Sequence, residues 1–297
     1  MFDLRYHVAS LAAVFFALVI GILVGVALAS HGLGNTERNR LEEDLRRANN
    51  RGDALQAQLE ALGESSAAAH AFVDKTYSDV MAHRLDRARI AVLFVGSVEG
   101  DVRSAIARTL NDAGAGPPLR IRSVSVPINP AAVAKRLAGR PFLAAYAGDA
   151  RLRELGHALG QEFSAGNETP LWTALESLIV EQKSGPAKLH ADGIVVVRTA
   201  GPQSGATAKF LRGLYSGIRD VGVPAVGVEM SEAKVSAMKA LQKAGLSTVD
   251  NIDTPVGKLA LALLLSDPSV KGDFGTKQTA RDGVLPEVVP PVTTTGG

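Results

Sequence analysis

The chain has 297 residues, 46% of them apolar, a formal net charge of +2 and no cysteine. That length holds one large domain or two modest ones, and the near-neutral balance leaves no basic footprint for nucleic acid. The lack of cysteine excludes disulfides, zinc–thiolate centres and cysteine nucleophiles.

The first element is apolar all round. From Leu11 to Ala29 no side chain is charged or strongly polar. A helix of that length rises about 28 Å, the thickness of a bilayer's hydrocarbon. A core helix of a soluble protein carries a polar stripe, and this one has none. We expect a transmembrane anchor over residues 1–30. The short amino-terminal flank, with one Arg and one Asp, and the long apolar run differ from a secretory signal. Ala27-Leu28-Ala29 nevertheless matches a small-x-small cleavage pattern, so cleavage after Ala29 stays open as the alternative. Small residues recur every four positions at Ala13, Ala17, Gly21, Gly25 and Ala29. In lipid such a stripe lets two backbones approach closely, so Ala17, Gly21, Gly25 and Ala29 are the expected helix-packing positions. Orientation is not settled by charge. Arg5 lies on one flank and Arg38, Arg40, Arg46 and Arg47 on the other, interleaved with Glu37, Glu42, Glu43 and Asp44. Arginine counts alone lean toward a cytoplasmic body.

A Gly-containing hinge follows, and residues 31–84 read as a coiled-coil stalk. Leu41, Leu45, Ala48, Gly52, Leu55, Leu59 and Leu62 alternate at spacings of four and three, a heptad seam. Leu41, Leu45, Ala48, Leu55, Leu59 and Leu62 carry it, and Gly52 weakens it. The pattern extends through Ala69, Val73 and Val80 with polar interruptions at Ser66 and Thr76.

Residues 85–266 read as an α/β domain. "RIAVLFVGS" contains a continuous apolar run, Ile90 to Val95, as in a strand buried on both faces. A helix is expected near 102–113 and a second strand over 119–126. Helices are then expected near 131–137, 150–162 and 171–181. "GIVVVRTA" is another buried strand, followed by a helix in "GATAKFLRGLYSGIRDVG" and a strand in "PAVGVEM". "SEAKVSAMKALQKAG" predicts a helix with Ser231 as its cap, "STVDNID" a short edge strand, and "TPVGKLALALLLS" a last helix capped by Thr254 with Pro255 in its first turn. Strands alternating with helices imply a Rossmann-like, mostly parallel sheet with helices on both faces. The tail, 267–297, is rich in Gly and Pro, and disorder is expected over its last ten or so residues.

Catalytic signatures are weak. The turn after the first strand, "VGSVEGD", has Gly96, Ser97 and Gly100 but lacks the G-x-G-x-x-G spacing that holds a pyrophosphate. "RTAGPQSG" places Gly201, Gln203 and Ser204 where open α/β sheets hold ligands, an expectation from fold analogy alone. No G-x-S-x-G elbow or phosphate-loop lysine is present, and the six histidines are scattered, no two of them at i, i+4. We therefore expect no enzyme activity, no catalytic residues and no resident cofactor. Cu(I) prefers thiolate and thioether, and Met1, Met81, Met230 and Met238 are the only soft ligands. Copper is expected at most as a transported or weakly bound ion.

The opening "MFDLRYHVASLAAVFFALVIGILVG" resembles the start of the actinobacterial family named for mycobacterial copper transport protein B (MctB), called the SteB family in corynebacteria. A late block, "GDFGTKQTARDGVLP", resembles that family's Gly-aromatic-Gly…Leu-Pro segment, with Phe274 in the aromatic place. The resemblance implies a single-pass cell-envelope protein with its body outside the cytoplasmic membrane and a role in copper efflux and homeostasis. It also implies an alternative: a scaffold in cell separation that binds a SteA-like membrane partner and regulates a peptidoglycan hydrolase through its coiled coil. In either case homo- or hetero-oligomers through the span and the stalk are expected. No metal ligands carry over from the resemblance.

Overall fold

Two long helices precede the sheet. The computed structural model describes residues 4–29, 34–166, 168–186 and 188–289. Helix α1 runs Leu4–Leu28 and helix α2 runs Gly34–Met81 without a break. The chain divides into two compact units, Met1–His70 and Ala71–Gly297. The first unit holds α1 and most of α2. Its residues from Tyr6 to Leu28 are predominantly apolar, carry no Asp, Glu, Lys or Arg, and are not buried inside the protein.

The second unit is built on a twisted sheet of seven strands among the described residues: β1 Ile90–Val95, β2 Arg120–Val124, β3 Val180–Ser184, β4 Gly193–Arg198, β5 Ala225–Val228, β6 Ser247–Val249 and β7 Asp273–Phe274. Their order is β3-β2-β1-β4-β5-β6-β7. All neighbours pair in parallel except β2 and β3, which are antiparallel. Every side chain of β1 is buried, as its unbroken apolar run requires in a sheet covered on both faces.

Alternation along β1 divides the core. Ala91, Leu93 and Val95 face the layer of α4 (Pro130–Ala138), α5 (Leu152–Ala165), α6 (Pro170–Ile179), α7 (Gly205–Arg219) and α8 (Met238–Lys243). Ile90, Val92 and Phe94 face α3 (Gly100–Asp112) and α9 (Pro255–Ser266), together with Met81 and Leu85. Two helix starts carry side-chain caps, of which Thr254 was expected. The Thr254 hydroxyl accepts from the Gly257 amide at 3.0 Å with Pro255 behind it, and the Asn129 side chain accepts from the Ala132 amide at 3.1 Å. Helices α5 and α7 cross at close range on glycines. A Cβ added at Gly156 or Gly160 would lie 2.1–2.4 Å from backbone oxygens of α7, and one at Gly213 or Gly217 would lie 2.0 Å from backbone oxygens of α5.

The expected α/β architecture, N-terminal apolar helix, long helix and mostly parallel sheet are present, with three local differences. Strand β3 lies where helix was expected to continue to 181. It is a polar edge strand, Val-Glu-Gln-Lys-Ser, largely exposed, and such edges carry charge that discourages pairing with other chains. Strand β6 is not the edge, because β7 from the tail pairs beyond it. The helix expected from Ser231 is only the short α8. The Ser231 amide and hydroxyl both bond Asp253, at 2.7 and 3.0 Å, and Glu229 accepts from the Ala237 amide at 3.0 Å, so tertiary partners hold residues 231–236 out of a helix. Part of the tail pairs with the sheet, as β7. The expectation of disorder beyond it falls on residues 290–297, outside the described residues.

Candidate functional site

The residues expected to pack helices in lipid lie on α1. Ala17, Gly21 and Gly25 are exposed, as is Ala29 just past the end of the helix. A Cβ added at Gly21 or Gly25 would meet no atom within 4 Å. The stripe is therefore an open face of the chain. The same is true of the seam: Leu41, Leu45, Leu55, Leu59 and Leu62 are each at least 55% exposed, and Ala48 and Gly52 are exposed beside them on α2. The seam is thus an exposed row of large apolar side chains at heptad spacing on α2. The proposed extension of the seam ends differently. Val73, Tyr77 and Val80 are half-buried and Met81 is fully buried in the second unit. That stretch serves the α/β core.

The crevice beyond the carboxyl ends of β1 and β4 is the switch point of the sheet, where open α/β folds hold ligands. Here the two loops bond to each other. The amides of Thr199 and Ala200 both donate to the Val95 carbonyl at 3.1 Å, and the Thr199 hydroxyl donates to the Ser97 carbonyl at 2.7 Å. Gly96 has a φ of +104°, and a Cβ there would lie 2.7 Å from the Ala200 nitrogen. Arg198 folds back to donate to the carbonyls of Ala200 and Gly201, at 3.0 and 2.5 Å, and Gln203 also donates to Gly201 at 3.1 Å. Ser204 precedes α7 without a side-chain capping bond. At the start of α3, Glu99 and Asp101 place two carboxylates where a phosphate would need amides and positive charge.

The late block 272–286 is a polar clasp. Asp250, at the end of β6, accepts from the amides of Thr276 and Lys277 at 2.8 and 3.1 Å. Lys277 reaches Glu229, at the end of β5, at 2.8 Å. Asp273 accepts from the Thr248 hydroxyl at 2.8 Å and from Arg281 Nε at 2.9 Å. Gly275 has a φ of +142° and a Cβ there would overlap the Asp250 carboxylate. Glu229, Asp250 and Asp273 are buried, and each has partners, as buried carboxylates must. Sequence reasoning singled out this block through Phe274 but not through the carboxylates it satisfies.

Among the described residues, soft and imidazole ligands are not gathered. Met81 and Met238 are buried in opposite cores, and Met230 is partly buried after β5. His83 bonds Asp86 at 2.9 Å and His157 bonds Asp220 at 3.0 Å. Among the described residues no group of three or more His, Cys, Asp or Glu side chains is placed to hold a metal ion. His31 lies outside them.

The described sheet is open, with β3 and β7 at its edges, and so is not a membrane-spanning barrel, which must close. Helix α1 is the one element among the described residues that is long and apolar enough to cross a membrane. No curated protein matches the chain. The family model described as "Copper transport outer membrane protein, MctB" matches residues 1–285, almost the whole chain, from the apolar helix through the clasp, and the protein therefore belongs to the MctB family.

Proposed function

We propose that this protein is a non-enzymatic, single-pass envelope protein that serves copper efflux and homeostasis by assembling at a membrane. In this reading α1 stays in the lipid, the leucine seam of α2 joins copies or a partner, and the α/β unit lies on the extracytoplasmic side. The observation that carries it is the seam: five leucines left in solvent on an unbroken helix that follows an apolar span. One span encloses no aqueous path, so any path for copper needs several copies, with copper as cargo. The self-bonded switch point and the two carboxylates at the start of α3 support the non-enzymatic reading.

The experiment replaces the seam and the stripe separately. Leu45→Lys with Leu59→Lys should abolish cross-linked oligomers and lower copper tolerance of cells lacking the native chain. Gly21→Ile with Gly25→Ile should weaken association of the span. Reporter fusions after Leu62 and after Gly297 should both report the extracytoplasmic side. A monomeric seam variant with full copper tolerance would refute assembly as the route to copper handling. The same exposed seam favours a second reading, a cell-separation scaffold that binds a SteA-like membrane protein and regulates a peptidoglycan hydrolase. That reading predicts that the seam variant keeps copper tolerance and leaves daughter cells joined.

A further inference from the structure

We propose that the groove formed by the loop after α4, helix α5 and the start of α6 binds a small anionic amphiphile, a carboxylate on an apolar body of fatty-acid size. The groove has a volume of about 750 Å³, within the roughly 300–1,000 Å³ of small-molecule sites. Apolar side chains dominate its lining: Pro141, Phe142, Leu143, Tyr146, Pro170 and Leu171. Helix α5 adds the small side chains of Ala158 and Ala165, which leave the space open.

The loop holds an aromatic ring out in water. Leu143 is 8% exposed and ties the loop into the core, while Phe142 beside it is 94% exposed. The turn is fixed by its own backbone, because the amides of Leu143 and Ala144 both donate to the Arg140 carbonyl at 2.9 Å. An exposed ring beside an apolar groove loses contact with water when an apolar body enters.

The polar groups of the lining set the charge of the ligand. Glu162 accepts from the amides of Leu171 and Trp172 at 3.0 and 3.1 Å and so closes the start of α6. Its burial pushes the carboxyl up, toward the neutral form. Glu168 pairs with Lys188 at 2.6 Å. Both carboxylates of the lining are thus engaged. Arg140 is exposed, and its guanidinium makes no hydrogen bond or ion pair with the described residues. The Gln161 amide and the Tyr146 hydroxyl are equally free among them. The unengaged charge of the groove is therefore positive. A guanidinium presents paired N–H donors that match a carboxylate. A few free polar groups on an apolar lining are what fix the orientation of a small ligand.

The full chain in nanodiscs is irradiated with a diazirine-tagged decanoate, and the labelled peptides are mapped. Label is expected within residues 139–146 and 158–171. Unlabelled decanoate should compete for it, and decylamine at the same concentration should not. Label on the α1 peptides, from probe dissolved in the bilayer, serves as the internal standard. Arg140→Gln changes an exposed side chain and should lower groove labelling about tenfold, the loss of a charged hydrogen bond. Ala158→Phe fills the space and should remove the label. No label in the groove, equal competition by decylamine, or unchanged groove labelling in Arg140→Gln would overturn the proposal. So would groove label that rises with the phospholipid content of the discs and resists free decanoate, which assigns the face to a membrane surface, or a cross-link there to a second copy of the chain.

Discussion

Tyr215 on α7 is buried, and its hydroxyl has no hydrogen-bond partner among the described residues. Burial pushes the phenol up to about 12. A buried hydroxyl without a partner carries its full desolvation cost. Tyr215→Phe should therefore leave denaturant stability unchanged or raise it by about 1 kcal/mol; a clear fall would show that the hydroxyl is used. Asp192 behaves in the opposite way. The Arg89 side chain bonds both of its oxygens, at 3.0 and 2.9 Å, and holds its carboxyl below the usual 3.8. A carboxylate whose pKa falls on folding stabilises the fold above its unfolded pKa, and that contribution is lost as pH falls through the folded value. The pair is partly exposed, so the effect is small. Asp192→Asn should lower the melting temperature modestly at pH 7, and the difference from the parent should close as the pH drops below about 3.8.

Among the elements, the crossing of α5 and α7 is the most constrained. Each helix carries a G-x-x-x-G pair, Gly156 with Gly160 and Gly213 with Gly217, and each glycine meets the other helix's backbone. Gly156→Ala or Gly217→Ala forces the helices apart and should cost about 3 kcal/mol, read as a lower denaturation midpoint at unchanged slope. The stripe on α1 has the same spacing and the opposite surroundings, since nothing lies within 4 Å of Gly21 or Gly25. The spacing alone does not separate a filled face from an open one. Helix α8 teaches a related point. Its propensity pattern extends back to Ser231, but Asp253 and Glu229 take the backbone donors of that stretch.

At the scale of the molecule, the sheet order brings β1 and β4 side by side and creates a switch point that the chain's own loops then occupy. The late block supplies β7 and caps the carboxyl ends of β5 and β6 through Asp250 and Glu229. The proposed membrane attachment is tested on the whole chain. Alkaline carbonate extraction should leave the full-length protein in the membrane pellet, and its mature form should begin before Leu11. Recovery in the supernatant, or a mature form beginning at Ser30, would show that α1 is not an anchor.

The sequence by itself determined the features that rest on local pattern. The apolar run of α1, the heptad spacing on α2, the buried strands β1 and β4, and the cap Thr254 with Pro255 were all legible because each depends on neighbours within a few residues. The candidate packing residues are exposed on or beside the two long helices. Only the tertiary structure decided what depends on distant partners. Polar β3 becomes a strand because β2 offers it an edge. Two residues of a Gly-rich tail become β7 because β6 does the same. Arg120, Arg122 and Lys183 meet around one cavity because strands far apart in the chain pair side by side. Periodicity reports which face of an element is apolar; it carries no information about which remote backbone or charge will complete it.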